Sequence, residues 1–283
     1  MTVALVLGGG GVTGIAWETG LLLGLVEAGL DLTGAELVIG TSAGSVVGAQ
    51  VATGVSLATL YDRQVAPAAA ERAPDLARLM EFLPGRAGPD GQAAQTAPPT
   101  PKVLAWIGSQ ARTANTRFTE AGRLEVIAAR LPVQEWPERP LLVTAIDTED
   151  GRFVTWDRSS GVPLTLAVAS SCAVPWIYPP VTIRGRRYMD GGVRSPTNAD
   201  LATGHDVVVI VAPTGGMSSA LLEAEVADLR RAGSRVEVVV PDAAAVEAIG
   251  PNPLDPARRA ASARAGRGQA AAAAAVLAAS AGR

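Results

Sequence analysis

The sequence is short of several things, and each shortage excludes something. Cys172 is the single cysteine, so no intrachain disulfide can form, and the chain is compatible with a reducing compartment. His205 is the single histidine, so a serine hydrolase of the Ser-His-Asp type would have to use it. No apolar run is long enough for a membrane span: the best, residues 270–279, is short and mostly alanine. Residues 1–7 are apolar but carry no basic lead and run straight into glycines, unlike a secretory leader. There is no excess of basic charge either. The net charge is −3 and the sequence pI about 5.3, which argues against a nucleic-acid partner. These absences predict a soluble, cytoplasmic protein with room for peripheral contact with a membrane.

What is present suffices for a sizeable core. The 283 residues are 48% hydrophobic. No repeat and no break in composition divides them, so a single domain over residues 1–283 is expected. Residues 2–7 read as a buried strand, 14–28 as a helix, 36–39 as a second strand and 45–53 as a helix of small residues. Alternation of strand and helix points to an α/β fold with a mainly parallel, helix-covered sheet. Helical patterns follow over 57–82, 103–112, 121–131 and 163–171. Strand patterns lie at 141–146, 152–155, 206–211 and 236–240, with a hairpin over 181–189. A helix is expected over 218–231 and an Ala- and Arg-rich helix over about 254–281. Residues 84–101, rich in Pro, Gly, Ala and Gln, read as a mobile loop or lid.

Two glycine-rich turns follow the first two strands. Gly40, Ser42 and Gly44 fit G-x-S-x-G, in which a serine on a sharp strand-to-helix turn exposes its hydroxyl. The helix starting there would direct its positive end and free N–H groups at a developing oxyanion. Gly9, Gly11 and Gly14 fit G-x-G-x-x-G. A dinucleotide site would need an acidic residue at the end of the next strand, which instead ends at Gly40. A phosphate-binding P-loop would need lysine where Ile15 stands. An oxyanion cradle of backbone amides and a plain tight turn both remain open.

Without a suitable histidine, a carboxylate must act as base. The order Ser42, Asp190, His205 matches an α/β-hydrolase triad, but His205 sits at the entrance to a strand, whereas sites in open α/β sheets form beyond the carboxyl ends. Asp190, followed by Gly191 and Gly192, is the better candidate, against the plain reading of Asp-Gly as a turn.

Taken together, residues 8–14 (GGGGVTG), 40–44 (GTSAG) and 190–192 (DGG) resemble the patatin-like phospholipases. The run from Ala169 to Pro175 with Tyr178, Pro179 and Pro180 strengthens the resemblance, which covers about residues 2–213. It implies a three-layer α/β/α sandwich and a lipid acyl-hydrolase acting on a fatty-acyl ester. Ser42 would be the nucleophile, Asp190 the base, and the amides of Gly9, Gly10 and Gly11 the oxyanion hole, with no metal or cofactor. Gly14, Gly40, Gly44, Gly191 and Gly192 would support these motifs. The chain departs from the family at Thr13, where arginine or lysine is usual. A nucleotide- or anion-binding module and a catalytically weak regulatory member are the alternatives. Trp106, Trp176 and Tyr178 could line an acyl pocket or simply pack. Arg258, Arg259, Arg264 and Arg267 could meet anionic lipid or face solvent.

Overall fold

The computed structural model of the chain describes residues 1–67, 73, 74, 76, 96–214 and 219–281. In chain order the elements are β1 (Val3–Leu7), α1 (Gly11–Glu27), β2 (Leu37–Gly40), α2 (Ala43–Ala52), α3 (Leu57–Val65), α4 (Pro101–Thr113) and α5 (Glu120–Arg130). There follow β3 (Leu141–Asp147), β4 (Phe153–Trp156), α6 (Leu164–Ser171), β5 (Val181–Ile183), β6 (Arg186–Asp190) and β7 (Val207–Val211). The chain then continues through α7 (Ser219–Arg231), β8 (Arg235–Val239), α8 (Ala243–Ile249) and α9 (Arg259–Ala281).

The strands form one sheet in the order β5-β6-β3-β2-β1-β7-β8, with β4 paired to β3. The pairings from β3 through β2, β1 and β7 to β8 are parallel; those that bring in β4, β5 and β6 are antiparallel. Alternation along β1 separates the two faces. Leu5 and Leu7 join a core with α1, α2, α6 and the buried alanines of α9. Ala4 and Val6 join a second core with Ala199, Ala202 and, from α7, Val226 and Leu229. The result is the expected α/β/α sandwich. Its central strand, buried on both sides, reads as an unbroken apolar run for that reason.

One boundary and one element differ instructively from the sequence reading. Helix α1 starts at Gly11 rather than residue 14, because Gly11 adopts a positive φ of 62° and turns directly into the helix. Helix α8 was not anticipated. Asp242 caps it by accepting the Ala245 N–H, a local signal hidden in an Ala-rich stretch. Of the pattern at 57–82, α3 accounts for the first part and much of the rest lies outside the described residues. So do residues 84–95 of the loop, while Thr100 caps α4 at its end. Among the described residues, no helix is long and apolar enough to cross a membrane.

Candidate active site

Register brings the two motif residues to one height. Gly40 at the end of β2 pairs with Val143, and Ala145, two residues further along β3, pairs with Asp190. Ser42 is likewise two residues beyond Gly40. The antiparallel return of β6 thus delivers its last residue beside the elbow at the carboxyl end of the parallel strands.

Ser42 itself is strained. Its φ of 52° and ψ of −113° lie outside the regions open to ordinary L-residues, at the start of α2. Several bonds over-determine that conformation. The Thr41 N–H donates to Leu7 O (3.0 Å) and the Gly44 N–H to Gly8 O (2.9 Å). The Ser42 N–H donates to Ser171 Oγ (2.9 Å), and Ser45 Oγ donates to Ser42 O (2.6 Å). Gly40 and Gly44 allow the elbow to fold tightly: a Cβ on Gly44 would collide with the Leu7 carbonyl, and one on Gly40 with the backbone of Ser45.

Asp190 is buried, and the Ser42 hydroxyl lies against its carboxyl. Burial pushes its pKa up to about 7, opposed by the bond with Ser42 and by the Gly192 N–H, which donates to Oδ1 (2.7 Å). Its own N–H donates to Ala173 O (3.1 Å). The segment from Ser171 to Ala173 therefore holds both elements, at Ser42 and at Asp190. Gly191 packs on Thr144, and Gly192 faces Thr41.

The glycine loop lies alongside. A Cβ on Gly9 would stand 3.6 Å from Ser42 Cβ, and one on Gly14 3.3 Å from Ala43 Cβ. Not all of its amides are open. The Gly8 N–H donates to Val211 O (2.9 Å) and the Gly9 N–H to Pro196 O (2.7 Å). The amides of Gly10 and Gly11 bond no backbone carbonyl among the described residues. This narrows the donors anticipated from the sequence, where all three glycines counted equally. Thr13 does not point into the site. Its N–H and hydroxyl both donate to Pro253 O (3.1 Å each), pinning the start of α1 to the segment before α9.

His205 stands elsewhere. It precedes β7, whose Val207 pairs with Val3, the first residue of β1, so it lies at the opposite end of the sheet from Ser42. Its Nδ1 bonds Ala202 O (3.0 Å). Cys172 is buried, with its thiol donating to Ser42 O (3.3 Å) and its pKa pushed up to about 11 by burial and the neighbouring Asp190 charge. Tyr178 packs with Ile177 and Leu254, and Trp176 with Leu104, Ile107 and Met189, whereas Trp106 is half exposed. Among the described residues no group of three or more His, Cys, Asp or Glu could hold a metal.

A model of the patatin-like phospholipase family matches residues 5–203. The chain belongs to the patatin-like phospholipase family. Family membership supports a lipid hydrolase in kind. Among solved structures, it is similar to VipD from Legionella pneumophila at 14% identity and a TM-score of 0.46, over 97% of this chain and 67% of that one. It is also similar to the type III effector protein ExoU at 17% identity and a TM-score of 0.39, over 97% of this chain and 53% of that one. The chain thus spans about two thirds of the first and about half of the second. No curated protein matches its sequence.

Sequence reasoning missed two residues that bond the elbow: Ser171, whose Oγ accepts the Ser42 N–H, and Asn198, whose Nδ2 donates to Thr41 Oγ1 (3.1 Å). Ser171 sat inside a recognised motif without an assigned role. Asn198 belongs to a Ser-Pro-Thr-Asn run whose composition signals only a loop.

Proposed function

We propose that this patatin-like chain hydrolyses carboxylic esters of fatty acids through a Ser42–Asp190 dyad. The observation that carries the reading is a strained serine at a helix start whose hydroxyl lies against a buried carboxyl. In the acylation step, Ser42 Oγ attacks the ester carbonyl carbon while its proton passes to Asp190. The carbonyl oxygen becomes an oxyanion, met by the amides of Gly10 and Gly11 and the positive end of α2. Collapse breaks the bond to the leaving alkoxide, which takes the proton from Asp190. Water then attacks the acyl-enzyme, gives its proton to Asp190, and release of the acid returns that proton to Ser42.

A base must be unprotonated to work. With its pKa near 7, Asp190 is poised between the two forms at neutral pH. The missing charge at position 13 is not decisive in this reading, because the Thr13 hydroxyl is turned away toward Pro253 and backbone amides supply the oxyanion contacts. The substrate class is a lipid ester with a neutral or charged headgroup.

The test is intact mass after incubation with a fluorophosphonate. The wild type should gain a single adduct; Ser42→Ala should gain none, and Asp190→Asn should react at least about 100-fold more slowly. A folded wild type that gains no adduct would overturn the dyad.

A further inference from the structure

One short segment touches every part of the site, and a buried carboxyl outside the site holds it. Residues 195–198 follow the Asp190 turn. Pro196 O accepts the Gly9 N–H (2.7 Å), so it sets the glycine loop. Asn198 Nδ2 donates to Thr41 Oγ1 (3.1 Å), the residue before Ser42, and contacts Gly191 O (3.3 Å), the residue after Asp190. Thr41 Oγ1 also bonds Thr144 Oγ1 (3.0 Å). The Asn198 amide is oriented from its other side, where Oδ1 accepts from Arg194 Nη1 (2.7 Å). Asn198 is buried in the left-handed region at φ 50°, which asparagine adopts more readily than most residues but which still draws support from its neighbours.

That support comes from α7. Ser195 Oγ donates to Glu225 Oε1 (2.6 Å), and Thr197 Oγ1 donates to Oε2. Ser195 Oγ in turn accepts the N–H groups of Thr197 (3.2 Å) and Asn198 (2.9 Å). All four residues, Glu225, Ser195, Thr197 and Asn198, are buried. Glu225 stands next to Val226, which faces the apolar core, so an aliphatic residue there would anchor α7 without the desolvation of a carboxyl. The feature a carboxyl adds is two acceptor oxygens aimed at the hydroxyls of the loop.

We infer that Glu225 is a positioning residue: through Ser195 and Thr197 it holds the 195–198 segment, which aligns the glycine loop, the Ser42 elbow and the Asp190 turn with one another. The inference rests on the dyad reading. It assigns Glu225 no contact with substrate.

The experiment compares wild type with Glu225→Leu, Glu225→Gln and Ser195→Ala. It measures the rate of fluorophosphonate adduct formation, kcat and KM on a p-nitrophenyl ester, the melting temperature, and hydrogen exchange at the Gly9 amide. Glu225→Leu should slow adduct formation and lower kcat about 10- to 100-fold, since misplacement by about 1 Å has effects of that size. KM should stay within about twofold, because substrate binding is untouched. Exchange at Gly9 should quicken as its bond to Pro196 loosens. Glu225→Gln keeps one acceptor and should recover most of the rate. A Glu225→Leu protein labelled at the wild-type rate with Gly9 still protected overturns the inference. Should that variant fail to fold, Ser195→Ala decides: a slowing of several-fold with faster Gly9 exchange supports the inference, and unchanged values overturn it. The two readings fail differently. If wild type takes no label yet Gly9 protection is lost in Glu225→Leu, the dyad falls while the alignment of the loop stands. If wild type labels and all variants match it, the alignment falls and the dyad stands.

Discussion

The elbow end of the sheet and the pairing of α1 with α9 use glycine in the same way for opposite ends. At the elbow, a Cβ on Gly44 would strike the Leu7 carbonyl; between the helices, a Cβ on Gly20 would strike the Ala263 carbonyl, and one on Gly266 the Trp17 carbonyl. Both sites need backbone against backbone. At the elbow, close approach holds Ser42 in a conformation worth roughly 1–3 kcal/mol of strain, at a place rich in buried polar groups. Between the helices it serves packing. Trp17 Nε1 donates to Gln269 (3.2 Å), and Arg267 pairs with Glu27 (2.7 Å) at a half-exposed position where the pair contributes little. Arginines of α9 and of the turn before it serve the same end: Arg259 and Arg267 on the helix and Arg258 just ahead of it all bond within the chain. Tight packing alone therefore does not mark a site; strain combined with buried, partnered polar groups does.

That contrast can be broken by mutation. The largest effect is expected for Gly44→Ala, which should lose both fold stability, by about 3 kcal/mol or more, and nearly all ester turnover. Gly20→Ala should cost about 1–3 kcal/mol in denaturant unfolding, yet leave kcat per fluorophosphonate-titrated site within about twofold of wild type. Equal losses of turnover per site in the two variants would erase the distinction.

Charge sharpens the comparison. Asp190 has a folded pKa of about 7, above its ordinary value of 3.8, so the folded state keeps a proton that the unfolded state releases. Its contribution therefore destabilises the fold as pH rises from about 4 toward 7, and deprotonation of the folded form near 7 would switch on the proposed base. The log of kcat/KM should fall with unit slope below pH near 7. Asp190→Asn should be inactive yet more stable at pH 8, by on the order of 1–2 kcal/mol. That is below the ~4 kcal/mol ceiling set by the displaced pKa, because an amide reproduces only part of the bonding at that site.

The smallest effect is expected at Glu18, where the two regions meet on α1. Its carboxyl is fully buried, burial holds its pKa well above the ordinary range, and only the Gly8 amide opposes that shift. It too weakens the fold as pH rises above about 4.5. Glu18→Met should raise the stability at pH 8 by about 1 kcal/mol and flatten its pH dependence, with turnover kept. A loss of turnover there would move Glu18 from packing into the site.

The motif positions were legible because each depends on a few neighbours in the chain. Gly40, Ser42 and Gly44 encode a turn whose backbone demands are local, and so do Gly191 and Gly192 after Asp190. The strand-helix alternation is equally local, as it follows from side-chain periodicity. The reading of His205 as a strand-entrance residue succeeded for the same reason.

The amino-acid sequence by itself determined the periodicity, the two elbows and the family, since those are properties of short windows. Only the tertiary structure decided which groups meet. It set Asp190 level with Ser42 through the antiparallel return of β6, took the Gly9 amide for Pro196, and turned Thr13 toward Pro253. It also placed Glu225 beneath a loop some thirty residues earlier in the chain. Each of these depends on register or on the approach of segments far apart in the chain, and the physical reason is one: hydrogen bonds and burial act through space, so their partners are set only when the layers close.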